Sequence, residues 1–312
     1  MRFLLAGGAG EVGRHMSGLL LDKGHAVTVL DRAAWPAGES RDRLTVIRGD
    51  LQDKALVHSA VRSADVVVNL AWSFSDDAAT LFREDIGGHL NLMEAAAASS
   101  VGRYVYASTA AVYGVPGSEP VTEDQPCQPF RARKPLYAFG KYTAEQLCQL
   151  CCDGKGVPFT VLRFWWAFGA TVGGKNLRAM IAAAANDEPL QVVGGAGGTF
   201  VTIDDLTAAV LAAVRTPAAA GEVYNVGSLF LTWTEIATMI IDTVGARSPL
   251  IECSGTAWNG AAFLNECWRL SWGKAARQLG YEPGGNGETI REAFRRALAR
   301  CAGQVIRGQT DG

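Results

Sequence analysis

A phenol and an ammonium group lie four residues apart in the sequence, at Tyr137 and Lys141. Residues at this spacing share one face of a helix, and Pro135 just upstream fits a helix start. To act as a base near pH 7, a tyrosine must lower its pKa from about 10 by roughly three units. One cation about 4 Å away supplies an effect of that order. We therefore predict that Tyr137 exchanges a proton with a substrate hydroxyl and that Lys141 lowers the pKa of Tyr137.

A glycine-rich turn precedes this pair by more than a hundred residues. Gly8, Gly10 and Gly13 satisfy the pattern Gly-x-Gly-x-x-Gly, and Gly7 with Gly10 and Gly13 fits a second frame. The turn follows a predicted strand and opens a predicted helix, which is the context that gives the pattern its meaning. Glycines let the backbone approach a pyrophosphate, and the helix start presents unpaired amides to it. The sequence therefore predicts a dinucleotide site.

An acidic residue, Asp31, ends the second predicted strand at about the distance from the glycines where a carboxylate bonds the adenosine ribose. A carboxylate there repels a 2′-phosphate, so NAD is favoured over NADP. Arg32 can pair with such a phosphate, which keeps NADP open as the less favoured cofactor.

Short apolar runs alternate with Ala- and Leu-rich helical stretches over the first two-thirds of the chain. Continuous runs such as Val66-Val67-Val68 suit strands that are buried on both faces. This alternation predicts an α/β fold, a Rossmann-type doubly wound parallel sheet with a smaller C-terminal substrate-binding lobe. The predicted strands are Arg2–Ala6, Ala26–Asp31, Leu44–Arg48, Asp65–Leu70, Arg103–Ser108, Phe159–Phe164 and Glu222–Val226, and the predicted helices include Leu90–Ala98, Ala144–Leu150, Leu206–Val214 and Thr234–Val244.

The pattern divides the chain into three parts. We expect residues 1–168 to form the dinucleotide-binding portion with the catalytic helix. Residues 169–302 form a mixed α/β lobe with a strand and helices that return to the main sheet, and residues 303–312 form a frayed tail. Gly173-Gly174 and the run Gly194–Gly198 predict loops. Asp204 is predicted to cap a helix that begins near Asp205.

Composition excludes several classes of function. With 312 residues and a formal net charge of −2, the chain has no general attraction to nucleic acid or anionic membrane. It shows neither an apolar run long enough to span a bilayer nor a signal peptide, so we expect a cytoplasmic protein. Its seven cysteines suggest reduced thiols, with Cys148 and Cys151 packing inside a helix. The four histidines are scattered, so no metal site is predicted.

Taken together, these motifs resemble the extended short-chain dehydrogenase/reductases, specifically the NAD-dependent epimerase/dehydratase group. The resemblance runs in order over residues 1–283. It is carried by Gly7–Gly13, Asp31, Gly49–Asp53, Asn69–Ala71, Ser108–Gly114, Tyr137-x-x-x-Lys141, Leu162-Arg163, Phe200–Leu206, Tyr224–Gly227 and Leu279–Pro283.

The resemblance implies residue roles. Thr109 matches the residue that bonds the reacting oxygen, Tyr137 matches the acid/base, and Lys141 matches the residue that also holds the nicotinamide ribose. It further implies a homodimer built from two helices per subunit, one of which carries the Tyr-x-x-x-Lys motif. The predicted cofactor contacts are Gly7, Gly10, Glu11, Val12, Gly13, Asp31, Arg32, Asp50, Leu51, Leu70, Ala71, Trp72, Ser108, Tyr137 and Lys141, and the predicted substrate contacts are Trp72, Ser73, Thr109, Trp165 and Trp166.

Departures from the family pattern concern the substrate. Ala110 and Ala111 replace the Asp-Glu pair of the 4,6-dehydratases and cannot exchange protons. Trp166 replaces an Asn that is usual in sugar-nucleotide epimerases. The stretch 197–199 lacks an Arg whose bond to a diphosphate would contribute roughly 1.5–3 kcal/mol. These changes favour a smaller substrate in a pocket walled by Trp165 and Trp166.

Three functional hypotheses follow. The first is an NAD-dependent oxidoreductase that moves hydride to or from a carbinol or carbonyl carbon of a small polyhydroxylated or cyclic substrate. The second is a sugar or nucleotide-sugar epimerase, which oxidises its substrate transiently with bound NAD. The third is a non-catalytic dinucleotide-binding regulatory protein. The trio Thr109, Tyr137 and Lys141 argues against the third, because a sensor does not need it.

Overall fold

The computed structural model describes residues 1–39 and 41–308, with the backbone alone for residues 151–155 and 263. Its strands, in chain order, are β1 (Arg2–Ala6), β2 (Ala26–Asp31), β3 (Leu44–Arg48), β4 (Val66–Asn69), β5 (Arg103–Thr109), β6 (Phe159–Phe164), β7 (Trp166–Phe168), β8 (Leu190–Val193), β9 (Gly197–Thr202), β10 (Glu222–Asn225), β11 (Leu229–Thr232), β12 (Leu250–Cys253) and β13 (Cys267–Trp268).

Helices connect these strands and cover both faces of the main sheet. They are α1 (Glu11–Asp22), α2 (Lys54–Val61), α3 (Ala78–Thr80), α4 (Gly87–Ala98), α5 (Pro135–Lys155), α6 (Lys175–Ala185), α7 (Ile203–Arg215), α8 (Trp233–Val244), α9 (Gly273–Leu279) and α10 (Gly287–Ile306), with a π-helix at Leu81–Ile86 and 3₁₀ turns at Ala110–Tyr113, Pro129–Arg131, Pro217–Ala219, Gly255–Ala257 and Ala262–Asn265.

In the described part of the chain, the main sheet has seven parallel strands in the order β10-β6-β5-β4-β1-β2-β3. The predicted doubly wound Rossmann-type fold is confirmed, and the predicted bounds of β1, β2, β3 and β6 match those observed. The chain runs outward from β1 through β2 and β3, then crosses back to β4. Ligands of such sheets bind outside the carboxyl ends of the strands at this reversal, which here lies between β1 and β4.

Each face of this sheet has its own apolar core. Helices α1 and α7 cover one face, with Met16 and Leu206 among the buried side chains. Helices α2, α4 and α5 cover the other face, where Leu92, Ala144 and Cys148 are buried. Cys148 therefore packs in the core, as predicted, whereas the side chain of Cys151 lies outside the described residues.

The C-terminal lobe is built around β9. Strands β11, β13 and β7 all pair with β9, while β8 pairs with β12 in a separate two-stranded sheet. Helices α6, α8 and α10 close a core around Phe200, Trp233 and Phe294. The prediction of a loop over Gly194–Gly198 is wrong at its end, because Gly197 and Gly198 begin β9. A Cβ on Gly197 would lie 2.2 Å from the Leu231 carbonyl oxygen, so glycine here serves close strand packing.

Two further predictions need correction. The cap of α7 is Thr202, whose hydroxyl accepts from the Asp205 amide, and Asp204 instead lies in the first turn and pairs with His15. The predicted frayed tail begins too early, because α10 continues through residues 303–306 on an apolar face that includes Cys301 and Ala302. Residues 309–312 lie outside the described residues. Among the helices of the described part, we find none both long and apolar enough to cross a membrane.

Candidate active site

A cavity of about 440 Å³ opens at the carboxyl ends of the central strands. The segments after β1, β2, β3 and β4 form its walls, together with the end of β5 and the start of α5. Every residue predicted to contact the cofactor lies along this cavity, and so does Ser73. The residues concerned are Gly7, Gly10, Glu11, Val12, Gly13, Asp31, Arg32, Asp50, Leu51, Leu70, Ala71, Trp72, Ser108, Tyr137 and Lys141.

The glycine turn is packed too closely for side chains. Gly7 has a φ of +78°, and a Cβ on it would lie 2.6 Å from the Ala71 Cα. A Cβ on Gly13 would lie 2.4 Å from the Gly8 Cα. Helix α1 begins after Gly10 without a side-chain cap, and Glu11, Val12 and Gly13 of its first turn line the cavity. Among the residues that the structure describes, no side chain caps these first amides. This is the arrangement that binds a pyrophosphate, and the turn therefore fits a dinucleotide.

Asp31 and Arg32 form the adenosine end of the cavity. The Asp31 carboxylate accepts hydrogen bonds of 2.9 Å from the amides of Ala9 and Ala33. The Arg32 guanidinium is paired with Glu84 at 2.7 Å and lies 3.7 Å from Asp50. Because its charge is compensated by two carboxylates, Arg32 offers little to a 2′-phosphate, which agrees with the preference for NAD.

Tyr137 lies at the inner end of the cavity between two aromatic side chains. Phe74 stacks on its ring at 5.7 Å between centroids, and Trp72 meets the same ring edge-on at 6.0 Å. Burial raises the pKa of Tyr137 to about 12, and the hydrogen bond with the Thr109 side chain opposes this increase. The contact between Thr109 and Tyr137 brings together two of the predicted catalytic residues, although Thr109 itself does not line the cavity.

Lys141 lies one turn further along α5. Its Nζ donates to the Ala107 carbonyl oxygen at 2.9 Å. Burial lowers the pKa of Lys141 to about 7, and the charges of Asp85 and Glu145 oppose the decrease. The Lys141 ammonium lies against the β5 backbone, and the hydrogen bond with Thr109 is what opposes the burial-driven increase in the Tyr137 pKa. The role of Lys141 in lowering the pKa of Tyr137 stays a prediction.

A buried ion pair fixes α5 against the sheet. Glu145 lies two turns after Tyr137, and its carboxylate binds the Arg163 guanidinium at 2.5 Å and 3.0 Å. Ser108 donates to the same carboxylate. Burial lowers the pKa of Arg163, but the hydrogen bonds and charge of Glu145 outweigh it and leave the pKa above its usual value. Removing one partner of such a pair strands a buried charge, so the pair strongly fixes the helix that carries Tyr137 and Lys141.

Asp85 and Phe164 are among the residues of the cavity wall that the sequence analysis missed. Asp85 is buried on the π-helix, and its carboxylate accepts from the amide and hydroxyl of Ser73, each at 2.7 Å. Phe164 follows the Leu-Arg motif at the end of β6 and lines the inner end. An isolated acid in an irregular helix carries no sequence signal, although π-helical turns are frequent at functional sites.

The tryptophan pair predicted to wall a substrate pocket does not line this cavity. Trp165 and Trp166 pack on each other with ring centroids 5.4 Å apart, and both contact Phe200 and Trp233. Neither lines the cavity. In the described structure both pack against the core of the lobe, because Trp166 begins β7, which pairs with β9, and Trp165 directly precedes it.

A family comparison agrees with this geometry. The family model of the NAD dependent epimerase/dehydratase family matches residues 3–227, which include the glycine turn, the Thr109–Tyr137–Lys141 trio and the strand that completes the main sheet. The chain belongs to this family. The resemblance inferred from the motifs is therefore confirmed, as is the expectation of an NAD-dependent enzyme, and the non-catalytic hypothesis is not favoured.

Several relatives of this chain are named for glycan biosynthesis or for reactions of UDP-sugars. A low-salt glycan biosynthesis protein, Agl12 of Haloferax volcanii, is 31% identical over 81% of this chain and 85% of its own length. A UDP-N-acetyl-alpha-D-glucosaminuronate decarboxylase of Bacillus cytotoxicus is 29% identical over 73% of this chain and 75% of its own. The crystal structure of a UDP-glucuronic acid 4-epimerase from Bacillus cereus, in complex with UDP-glucuronic acid and NAD, has the same fold, with a TM-score of 0.79 at 23% identity over 96% of this chain and 99% of that one.

Proposed function

We propose that the chain oxidises a carbinol carbon in the sugar of a nucleotide sugar and returns the hydride, as an epimerase does. The observation that carries this proposal is the placement of Tyr137 and Lys141 at the inner end of a cavity that fits a dinucleotide, with the Thr109 side chain hydrogen-bonded to Tyr137. The relatives that act on or bind UDP-sugars support the choice of substrate class.

Different residues of the cavity would bind different parts of NAD. The open amides at the start of α1 would hold the pyrophosphate, and Asp31 would hold the adenosine ribose. Lys141 would hold the nicotinamide ribose. When bound, NAD supplies a hydride acceptor and donor.

Tyr137 provides the proton chemistry. As a phenolate, its oxygen takes the proton of the substrate hydroxyl while the carbinol carbon is oxidised, and the resulting phenol returns that proton on reduction. Burial raises the Tyr137 pKa to about 12, so the positive charges of Lys141 and of bound oxidised NAD would have to lower it for the phenolate to form. The Thr109 side chain, which is hydrogen-bonded to Tyr137, holds that oxygen in place. Ala110 and Ala111 follow Thr109 and carry no group that exchanges protons, so the cycle stops short of dehydration.

Replacing Tyr137 tests this assignment. We expect Tyr137→Phe to lower turnover by about two to four orders of magnitude, the scale of general acid–base catalysis, with little change in NAD affinity. Steady-state kinetics and calorimetric titration with NAD measure the two quantities. Tyr142→Phe is the matched control, since Tyr142 is on the same helix but does not line the cavity. Wild-type turnover in Tyr137→Phe contradicts the proposal.

A second candidate is net dehydrogenation of a smaller polyhydroxylated or cyclic substrate. The stretch 197–199 favours it, because β9 presents glycines and a buried Thr199 there, with no cation for a diphosphate. NADH absorbance separates the two. An epimerase forms product without net cofactor change, whereas a dehydrogenase accumulates NADH with continued turnover.

A homodimer and a cytoplasmic location complete the proposal. Helix α5 exposes Phe139 and Leu150, and Phe139 forms a ring pair with Phe82 at 6.4 Å between centroids. Apolar side chains exposed along one helix are typical of a subunit interface. Light scattering of the wild type and of Phe139→Asp tests the dimer. Monomeric wild-type protein contradicts it.

A further inference from the structure

Helix α5 has a glycine between its two catalytic candidates. A Cβ on Gly140 would lie 2.6 Å from Leu81 Cδ1 and 3.0 Å from Trp72 Cζ2. The indole and the leucine therefore fill a notch that a larger residue at 140 would close. Glycine is unfavourable in a helix interior, so the close packing of Leu81 and Trp72 explains its presence here.

The indole in this notch faces the ammonium of Lys141. Nζ lies 4.2 Å from the centroid of the Trp72 ring and 5.0 Å from that of Tyr106. With the hydrogen bond to the Ala107 carbonyl oxygen, these rings surround a nearly buried charge. A cation is attracted to aromatic faces, more strongly where water is excluded.

The segment that carries Trp72 is anchored by the next residue. Ser73 donates through both its amide and its hydroxyl to the buried carboxylate of Asp85. In the described part of the structure, the Trp72 Nε1 has no hydrogen-bond partner. The indole is therefore held by the Gly140 notch and by the Ser73–Asp85 anchor, and its contribution to the site is its ring face.

We propose that Trp72 is a positioning residue for Lys141: seated at Gly140 and anchored through Asp85, it holds the ammonium charged and directed along the cavity wall. The inference rests on the proposed function only through the role given to Lys141. Ionisable groups face Lys141 from each neighbouring element: Asp85 from the π-helix, Glu145 and Tyr137 from α5, His89 from α4 and Tyr106 from β5.

NAD affinity as a function of pH tests this proposal without any substrate. Burial already lowers the pKa of Lys141 to about 7, so the charged form is lost as the pH rises through that value. We expect NAD affinity to decrease over the same range. In Trp72→Leu, which keeps bulk but removes the ring face, the decrease moves to lower pH by about one unit. Trp72→Phe retains a ring face, and its decrease stays near that of the wild type.

Three further variants make the test decisive. Asp85→Asn removes the nearby anion and should move the decrease in the same direction as Trp72→Leu. Lys141→Met should abolish the pH dependence. Trp258→Leu, which alters a tryptophan packed on Gly260 in the lobe, controls for the loss of any indole.

The outcomes separate this inference from the proposed function. An unshifted midpoint in Trp72→Leu, an equal shift in Trp72→Phe, or pH dependence that survives in Lys141→Met overturns the role of Trp72. Wild-type protein that binds NAD but turns over no sugar nucleotide or cyclic alcohol overturns the proposed function and leaves the pH measurement intact.

Discussion

Helices α1 and α8 begin in opposite ways, and the contrast separates the cofactor half of the molecule from the C-terminal lobe. Helix α1 follows Gly10 and has no side-chain cap. Helix α8 follows Thr232, whose hydroxyl accepts from the Glu235 amide while the Glu235 carboxylate accepts from the Thr232 amide. A cap satisfies the first amides of a helix, and an open start leaves them for a ligand. The helix that packs in the lobe therefore has a capped N-terminus, whereas the helix that faces the cofactor cavity has an uncapped one.

The glycines of the two regions also differ in what they pack against, which is backbone in the cofactor half and a side chain in the lobe. Gly13 lies against the backbone of its own turn, where a Cβ on Gly13 would be 2.4 Å from the Gly8 Cα. Gly198 lies against the Trp165 ring, where a Cβ would come within 2.1 Å of Cζ3. A backbone contact has no side chain that can yield. Where the contact is with a side chain, the two residues form a matched pair, and a smaller residue at the second position can relieve the clash that a Cβ would cause.

The largest effect is expected for Gly13→Ala. Its Cβ would collide with backbone that cannot yield, so we expect a loss of stability of about 1–3 kcal/mol or more and at least about a tenfold loss of NAD affinity. Denaturant unfolding and calorimetric titration measure these. Gly173→Ala is the control, because nothing lies within 4 Å of a Cβ there. Unchanged NAD binding in Gly13→Ala argues against the turn as the pyrophosphate site.

Gly10→Asp would give α1 the kind of side-chain cap that α8 has. The Gly10 backbone has a φ of −68°, and a Cβ would meet only the Gly7 carbonyl oxygen, at 3.5 Å. A carboxylate there would cap α1 and occupy its amides, so NAD affinity should decrease by about tenfold while the cofactor-free chain becomes no less stable. Gly10→Ala controls for bulk without charge. If both variants bind NAD equally well, the amides of α1 are not its phosphate site.

Gly198→Ala tests the lobe side of the comparison. We expect a loss of about 1–3 kcal/mol of stability, since the Trp165 ring must move. Combining it with Trp165→Leu should recover part of that loss, with a coupling of about 0.5–3 kcal/mol. NAD affinity should stay unchanged, because neither residue lines the cavity. Strict additivity of the two changes in a double-mutant cycle rules out the matched pair.

The same contrast explains what the sequence could predict. The bounds of β1, β2, β3 and β6 could be predicted because short runs rich in apolar and β-branched residues form each of these strands. Strand β9 was missed because Gly197 and Gly198 resemble a loop, and only its neighbours Leu231 and Trp165 require glycine there. A local sequence pattern does not show which residues, distant in the sequence, pack against a glycine in the folded chain.

The candidate site divides in the same way. Tyr137, Lys141 and the glycine turn belong to motifs with fixed spacing, so they could be found from the sequence. Asp85 could not, because it reaches the site through the irregular π-helix and is recognised by its bonds to Ser73. The orientation of Lys141 toward Ala107 also depends on tertiary packing rather than on spacing along α5.

Acid should weaken the cofactor half through His89. Burial, and secondarily the charge of Lys141, lowers the pKa of His89 from about 6.5 to about 3. The unfolded chain therefore binds a proton that the folded chain does not, and stability decreases as the pH falls below about 6.5, by about 1.4 kcal/mol per unit. Urea unfolding at several pH values should show a shallower dependence in His89→Asn. An equally steep dependence on pH in His89→Asn and in the wild type would contradict this assignment.

The smallest effect concerns the cap of α8. Thr232→Ala removes the hydroxyl that accepts from the Glu235 amide and donates to the Glu235 carboxylate, so about 1 kcal/mol of stability should be lost. NAD affinity should not change, because this helix start faces the lobe core beside Trp233 rather than the cavity. Thr232→Ser keeps a hydroxyl and should keep most of the stability. If Thr232→Ala weakened NAD binding as Gly10→Asp is expected to, the two helix starts would not be separate in function, and the division between an open cofactor half and a closed lobe would be wrong.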